Sequence, residues 1–160
     1  MGKLSKQKGS SFERKTSLML TGLTGLAFRR TYGSGANKFQ QRSLDESGDL
    51  KCEDESFPFV LECKHYAEIS YAKIMEQDCK LIDRWIAQLT GDSNHQKKNG
   101  ILVFKSNRMP TFFLFIDKTK DRKLTKFLKK FNHITFYKGY GILTEKLFRK
   151  YFRRIIKICS

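Results

Sequence analysis

Two uninterrupted apolar runs, Ile101-Leu102-Val103-Phe104 and Phe112-Phe113-Leu114-Phe115-Ile116, restrict the chain more than any other stretch. Strand side chains alternate between the two faces of a sheet, so a run that is apolar at every position predicts a strand covered on both faces. Pro110 marks the turn between them. Helical periodicity supplies the covers. One helix is expected to open at Ser10, with Glu13 in the capping-box position, to carry Phe12, Met19, Leu23 and Leu26 near one face, and to end by Gly22 and Gly25. A second should run from about Tyr71 to Leu89, with Ile74, Leu81, Ile82, Trp85 and Leu89 on one stripe and Gly91 past its end. A third spans Lys118 to Lys130. A fourth, capped by Thr144, buries Leu147, Phe148, Tyr151, Phe152, Ile155 and Ile156. Further strands are expected over Leu26–Tyr32, at Asp49, over Phe59–Lys64 and over Ile134–Tyr137, with a polar loop over 37–47. This order predicts an α/β fold, a mixed central β-sheet flanked by helices. With 160 residues and no Pro/Ser-rich linker, one domain over 1–160 is expected, residues 1–9 forming a mobile basic arm with Lys3, Lys6 and Lys8.

Charge narrows the function. Lys and Arg number 32 against 16 Asp and Glu, a net charge of +16. Residues 1–42 hold nine basic and one acidic side chain, and residues 118–157 hold fourteen and two. Residues 43–70 reverse the sign, with eight acidic and two basic. Basic ends around one acidic block suit a polyanion-binding surface built about a cation site. No apolar run reaches 18 residues, and no apolar segment follows the first lysines, so neither a membrane span nor a secretory leader is expected and the location should be cytoplasmic. Cys52, Cys63, Cys79 and Cys159 form no C-x-x-C pair and are read as reduced core thiols.

Inside the acidic block, Asp49, Glu62 and Lys64 follow the pattern D-x12-E-x-K. Glu62 and Lys64 lie two apart on one strand and share a face, while Leu61 and Cys63 point the other way. Asp49 on a neighbouring strand would complete an oxygen site for a hard divalent cation, with the Cys63 carbonyl a further ligand and Glu13 an additional carboxylate from the first helix. Phosphodiester hydrolysis asks for this chemistry: an activated water, relief of charge at phosphorus and help for the leaving oxygen. His65 falls on the face opposite Lys64, which removes it as a general base beside that lysine.

In order and approximate spacing, Glu13, Asp49, Glu62 and Lys64 resemble the PD-(D/E)XK nuclease core, which has a restriction-endonuclease-like fold. More specifically they resemble the archaeal-type Holliday junction resolvases. Lys8-Gly9 before Phe12-Glu13-Arg14, then Phe28-Arg29-Arg30 and the Gly33-Ser34-Gly35 turn, extend the resemblance over about residues 8–66, with Gly48 where the family usually has Pro. The resemblance implies catalytic roles for Glu13, Asp49, Glu62 and Lys64, and one or two Mg²⁺ or Mn²⁺ ions held by Asp49, Glu62, Cys63 and Glu13. It implies DNA contacts at Lys8, Arg14, Arg29, Arg30, Ser34 and Lys38. It also implies a homodimer that nicks four-way DNA junctions in pairs. Gln77 resembles the helix glutamine that some nucleases of this superfamily place beside the metal. Two alternatives remain: a PD-(D/E)XK nuclease of restriction, repair or single-strand specificity, and a non-catalytic basic nucleic-acid-binding module.

Overall fold

In a computed structural model that describes residues 2–31 and 48–160, the apolar runs are β4 (Asn99–Ser106) and β5 (Phe112–Ile116), at the centre of a sheet. The other strands are β1 (Phe28–Arg30), β2 (Leu50–Cys52), β3 (Phe59–Tyr66), β6 (Thr135–Tyr137) and β7 (Tyr140–Thr144). Their order across the seven-stranded sheet is β1-β2-β3-β4-β5-β7-β6. Only β3 and β4 pair in parallel; the remaining pairs are antiparallel, so the sheet is mixed as expected. The parallel pair needs a crossover, and it is helical: α2 (Tyr71–Met75) and α3 (Lys80–Gln96).

Alternation along the central strands divides the core in two. Phe59, Leu61, Ile101, Val103, Phe113 and Phe115 pack on one face beneath α1 (Gly2–Thr24), α4 (Lys123–Leu128) and α5 (Glu145–Cys159). Val60, Leu102, Phe104, Leu114 and Ile116 pack on the other beneath α2 and α3, against Ile74, Ile82, Trp85 and Leu89. On α5 the 3.6-residue repeat buries Phe148, Tyr151, Phe152 and Ile155. The rings of Phe148 and Phe113 stack at 3.8 Å, a contact worth about 1 kcal/mol beyond its buried area. α3 approaches β4 closely at Gly100, where a Cβ would lie 2.7 Å from Ser93 Oγ and 2.9 Å from Leu89 Cγ.

Several boundaries differ from the sequence reading. α1 starts at Gly2, so residues 2–9 form its first turns rather than a separate arm, and Ser10 lies inside the helix instead of capping it. The expected helix from Tyr71 to Leu89 is broken after Met75. There Gln77 takes a φ of +61° and ties the break to β6, donating to the Phe136 carbonyl at 2.8 Å. The buried Tyr137 hydroxyl accepts from the Cys79 backbone N–H at 2.9 Å at the start of α3. Gly91 lies within α3, which runs on until Lys97 closes it in the left-handed conformation. Residues 118–130 form a short 3-10 turn (Lys120–Arg122) and α4 rather than one helix, and β7 was not anticipated. All four cysteines are free thiols, and among the described residues no helix is long and apolar enough to cross a membrane.

Candidate active site

β2 and β3 form an antiparallel hairpin with Leu50 opposite Leu61, which places Asp49 across from Glu62. The approach is fixed by backbone bonds: the Asp49 N–H donates to the Leu61 carbonyl at 2.8 Å, and Thr31 donates from its hydroxyl to the Gly48 carbonyl at 2.7 Å and from its N–H to the Asp49 carbonyl at 3.1 Å. One Asp49 oxygen, Oδ2, accepts the Cys63 N–H at 2.9 Å. Both carboxylates are buried, Glu62 to 1% exposure.

Three groups surround Glu62. Its Oε1 accepts from Lys64 Nζ and, at 2.6 Å, from Gln88 Nε2 on α3, while its Oε2 is buried with no hydrogen-bond partner. Burial, then the negative charge of Asp49, pushes the Glu62 carboxyl up to about 7 against the opposing pull of Lys64. Asp92, one turn beyond Gln88 on α3, adds to that push. Partial burial disfavours the Lys64 ammonium, but Glu62 and Asp49 outweigh it and hold Lys64 above its ordinary value, so it is a charged donor. Two buried carboxylates with an unpartnered oxygen and a single ammonium are short of positive charge, and their hard oxygen atoms fit a divalent cation.

Other predicted residues stand around this centre. Glu13, buried on α1, pairs with Arg30 of β1. It lies close enough to Cys63 to join Asp49 and Glu62 in raising that thiol, after the larger effect of burial. The Cys63 side chain belongs to the core beneath α1, so only its backbone is available to the site. Among the described residues no three Asp, Glu, His or Cys side chains converge as a metal cluster. Lys8, Arg14 and Arg29 are exposed, the first two on α1 and the third on β1 beside Lys51. Ser34, Lys38 and the Gly33–Gly35 turn lie outside the described residues. His65 faces α1, its ring 5.6 Å from Phe12, on the side away from Lys64 as expected.

The glutamine beside the carboxylates is Gln88, whereas Gln77 serves the α2–α3 break. The overlooked signal was a polar stripe: Gln88, Asp92 and Gln96 recur every four residues along the flank of the apolar stripe, and four-residue spacing keeps one helix face toward β3.

A model of the family described as "phage putative PDDEXK endonuclease" matches residues 4–156. No curated protein matches the chain. Among solved structures, the chain is similar to Hjc of Archaeoglobus fulgidus, a Holliday junction resolvase from an archaeal hyperthermophile, at a TM-score of 0.42 and 15% identity, covering 87% of this chain and 90% of that one.

Proposed function

Because the chain belongs to the phage PDDEXK endonuclease family, we propose that it is a divalent-metal-dependent DNA endonuclease that resolves four-way junctions by paired symmetric nicks, leaving 5′-phosphate and 3′-hydroxyl ends, and that it acts as a homodimer. The observation that carries the catalytic part is Glu62 Oε2, buried without a partner beside Asp49 and within reach of a Lys64 ammonium. The junction specificity is supported by the motif order over residues 8–66, and the strand-contacting residues by their basic character.

In this reading Asp49 and Glu62, with the Cys63 carbonyl, hold Mg²⁺ or Mn²⁺, and Glu13 extends the carboxylate set. The bound ion supplies a more acidic water and charge relief at the phosphoryl oxygens. The protein's own residues do the rest. Gln88 holds Glu62 Oε1 and thereby turns Oε2 toward the site. Lys64, kept protonated by its carboxylate neighbours, donates to the attacking water or to a phosphate oxygen. The Cys63 N–H fixes the Asp49 carboxylate. Lys8, Arg14, Arg29, Arg30, Ser34 and Lys38 contact the DNA backbone, which positions the substrate without reading its sequence.

The test sets a synthetic four-way junction, the matching linear duplex and single strands before the protein in Mg²⁺ or EDTA. Paired nicks confined to the junction are expected. Equal cutting of linear DNA would make it a nuclease of another specificity, and binding without cutting in Mg²⁺ would leave a nucleic-acid-binding module. Glu62→Gln and Lys64→Ala should each abolish cleavage while retaining junction binding in EDTA; near wild-type cutting by either would remove that residue from the site.

A further inference from the structure

A second set of cations lies on the opposite face of β3, in a place the catalytic chemistry does not use. Lys8, Ser11, Phe12 and Lys15 recur on α1 at three- and four-residue steps, so they share one helix face. In the parallel register His65 of β3 is paired with Lys105 of β4, and strand neighbours in register share a face. The two sets meet across a cleft of about 270 Å³, lined by Lys8, Ser11, Phe12, Lys15, His65 and Lys105, with Gln7 at its rim. No acidic side chain lines it. Among the described residues, none of the three lysines has a carboxylate partner.

The His65 ring sharpens this. Its Nε2 meets Asn107 Oδ1 at 3.2 Å, while its Nδ1 is buried and without a hydrogen-bond partner. A buried ring nitrogen left unpaired costs free energy that a polar ligand or water would recover. Three ammonium groups, a hydroxyl and an unpaired imidazole nitrogen around a cleft form a site for a tetrahedral oxyanion. Ammonium groups bind phosphate as point charges and do not read bases.

We propose that this cleft binds a backbone phosphate of the DNA, flanking the phosphate that is cut. The inference rests on the endonuclease reading for its substrate class. His65 is three residues beyond Glu62, a rise of about 10 Å along the strand. β2 pairs with β3 only at Leu50 and Leu61, so past Cys63 no described strand covers that edge of β3. A DNA strand passing this edge can therefore place one phosphate at Glu62 and Lys64 and a nearby one at Lys15, Lys105 and His65.

The test is the double variant Lys15→Gln/Lys105→Gln in the full chain, compared with an equal loss of charge at the exposed Lys73 and Lys80. Binding of the four-way junction is measured in EDTA over a series of salt concentrations. The cleft variant should bind about ten-fold more weakly, with a salt slope shallower by about 2, one unit for each lost phosphate-contacting lysine. Binding no weaker than that of the Lys73→Gln/Lys80→Gln control would overturn the proposal. So would displacement of the DNA by inorganic phosphate at matched ionic strength, which would make the cleft a site for a free anion. Wild-type cleavage in Mg²⁺ is scored separately. A wild-type protein that binds but does not cut refutes the nuclease reading and leaves the cleft standing, and one that cuts while the cleft variant binds normally refutes only the cleft.

Discussion

At Gly48 the backbone turns through a φ of +85°, and a Cβ there would lie 2.6 Å from the Leu61 carbonyl oxygen and 3.1 Å from Val60 Cγ1. Proline, usual at this position in the family that the motif resembles, holds φ near −65° and could not follow this path. Glycine lets the chain run close enough to β3 for the Asp49 N–H to reach Leu61, which brings the carboxylate opposite Glu62. Gly48→Ala should therefore cost about 1–3 kcal/mol in urea unfolding. It should also lower cleavage at temperatures where the variant is fully folded, because Asp49 is displaced. Unchanged stability together with unchanged cleavage would show that the turn relaxes without moving the site. At this scale the sequence was readable where two residues sit on one strand: Glu62 and Lys64 share a face because the period of a strand is two. Gln88 was not readable from Glu62. Its place depends on how closely α3 lies on the sheet, which is set at Gly100, far from either residue in the chain.

The helices show the same division between local pattern and distant constraint. α5 follows from its apolar repeat and begins after Thr144 as expected, since its period alone decides which face is buried. The α2–α3 segment has an equally good repeat, yet it is broken by Gln77 and Tyr137, whose partners lie about sixty residues apart in sequence and which no local pattern encodes. α4 is short for a similar reason. Asp117 accepts the backbone N–H groups of Thr119 at 2.9 Å and Thr125 at 2.7 Å, together with both threonine hydroxyls, and so holds the segment into α4. Partial burial pushes the Asp117 carboxyl up, but the hydrogen bonds from Thr119 and Thr125 outweigh it and hold the group below its ordinary value. A carboxyl depressed in the folded state contributes stability above its unfolded value, near 3.8, and loses it as pH falls through the lower folded value. Asp117→Asn should thus destabilise the protein by about 1 kcal/mol at neutral pH. The gap to wild type should close only in strong acid, as seen in thermal melts across pH. A gap that stayed constant down to the lowest pH at which the protein folds would mean that the carboxylate charge contributes nothing to this cap.

For the molecule as a whole, the sheet separates two kinds of surface. α1 and α5 cover the same face, and their outward side chains include Lys8, Arg14, Lys15, Lys146, Arg149, Lys150, Arg153, Arg154 and Lys157, whereas the acidic hairpin opens beside α3 on the other. Among α5's acidic residues only Glu145 stands against these cations, paired with Arg149. Such a distribution attracts DNA over a wide surface but concentrates negative charge where a cation must be kept from the protein's own lysines. One site per chain cuts one strand. Resolving a junction symmetrically requires two cuts related by a two-fold axis, which a C2 pair of chains supplies directly. A supercoiled plasmid with an extruded cruciform distinguishes paired from independent cutting, because two cuts within one bound complex give linear DNA whereas a single cut relaxes the cruciform and removes the substrate. Wild-type protein should yield linear product without accumulating nicked circles. Mixing it with excess Glu62→Gln chains should shift the product to nicked circles, since a hybrid pair carries one working site. Persistent linear product in the mixture would mean that each chain makes both cuts or that the chains do not exchange, and mass measurement of the mixed complex separates these two outcomes.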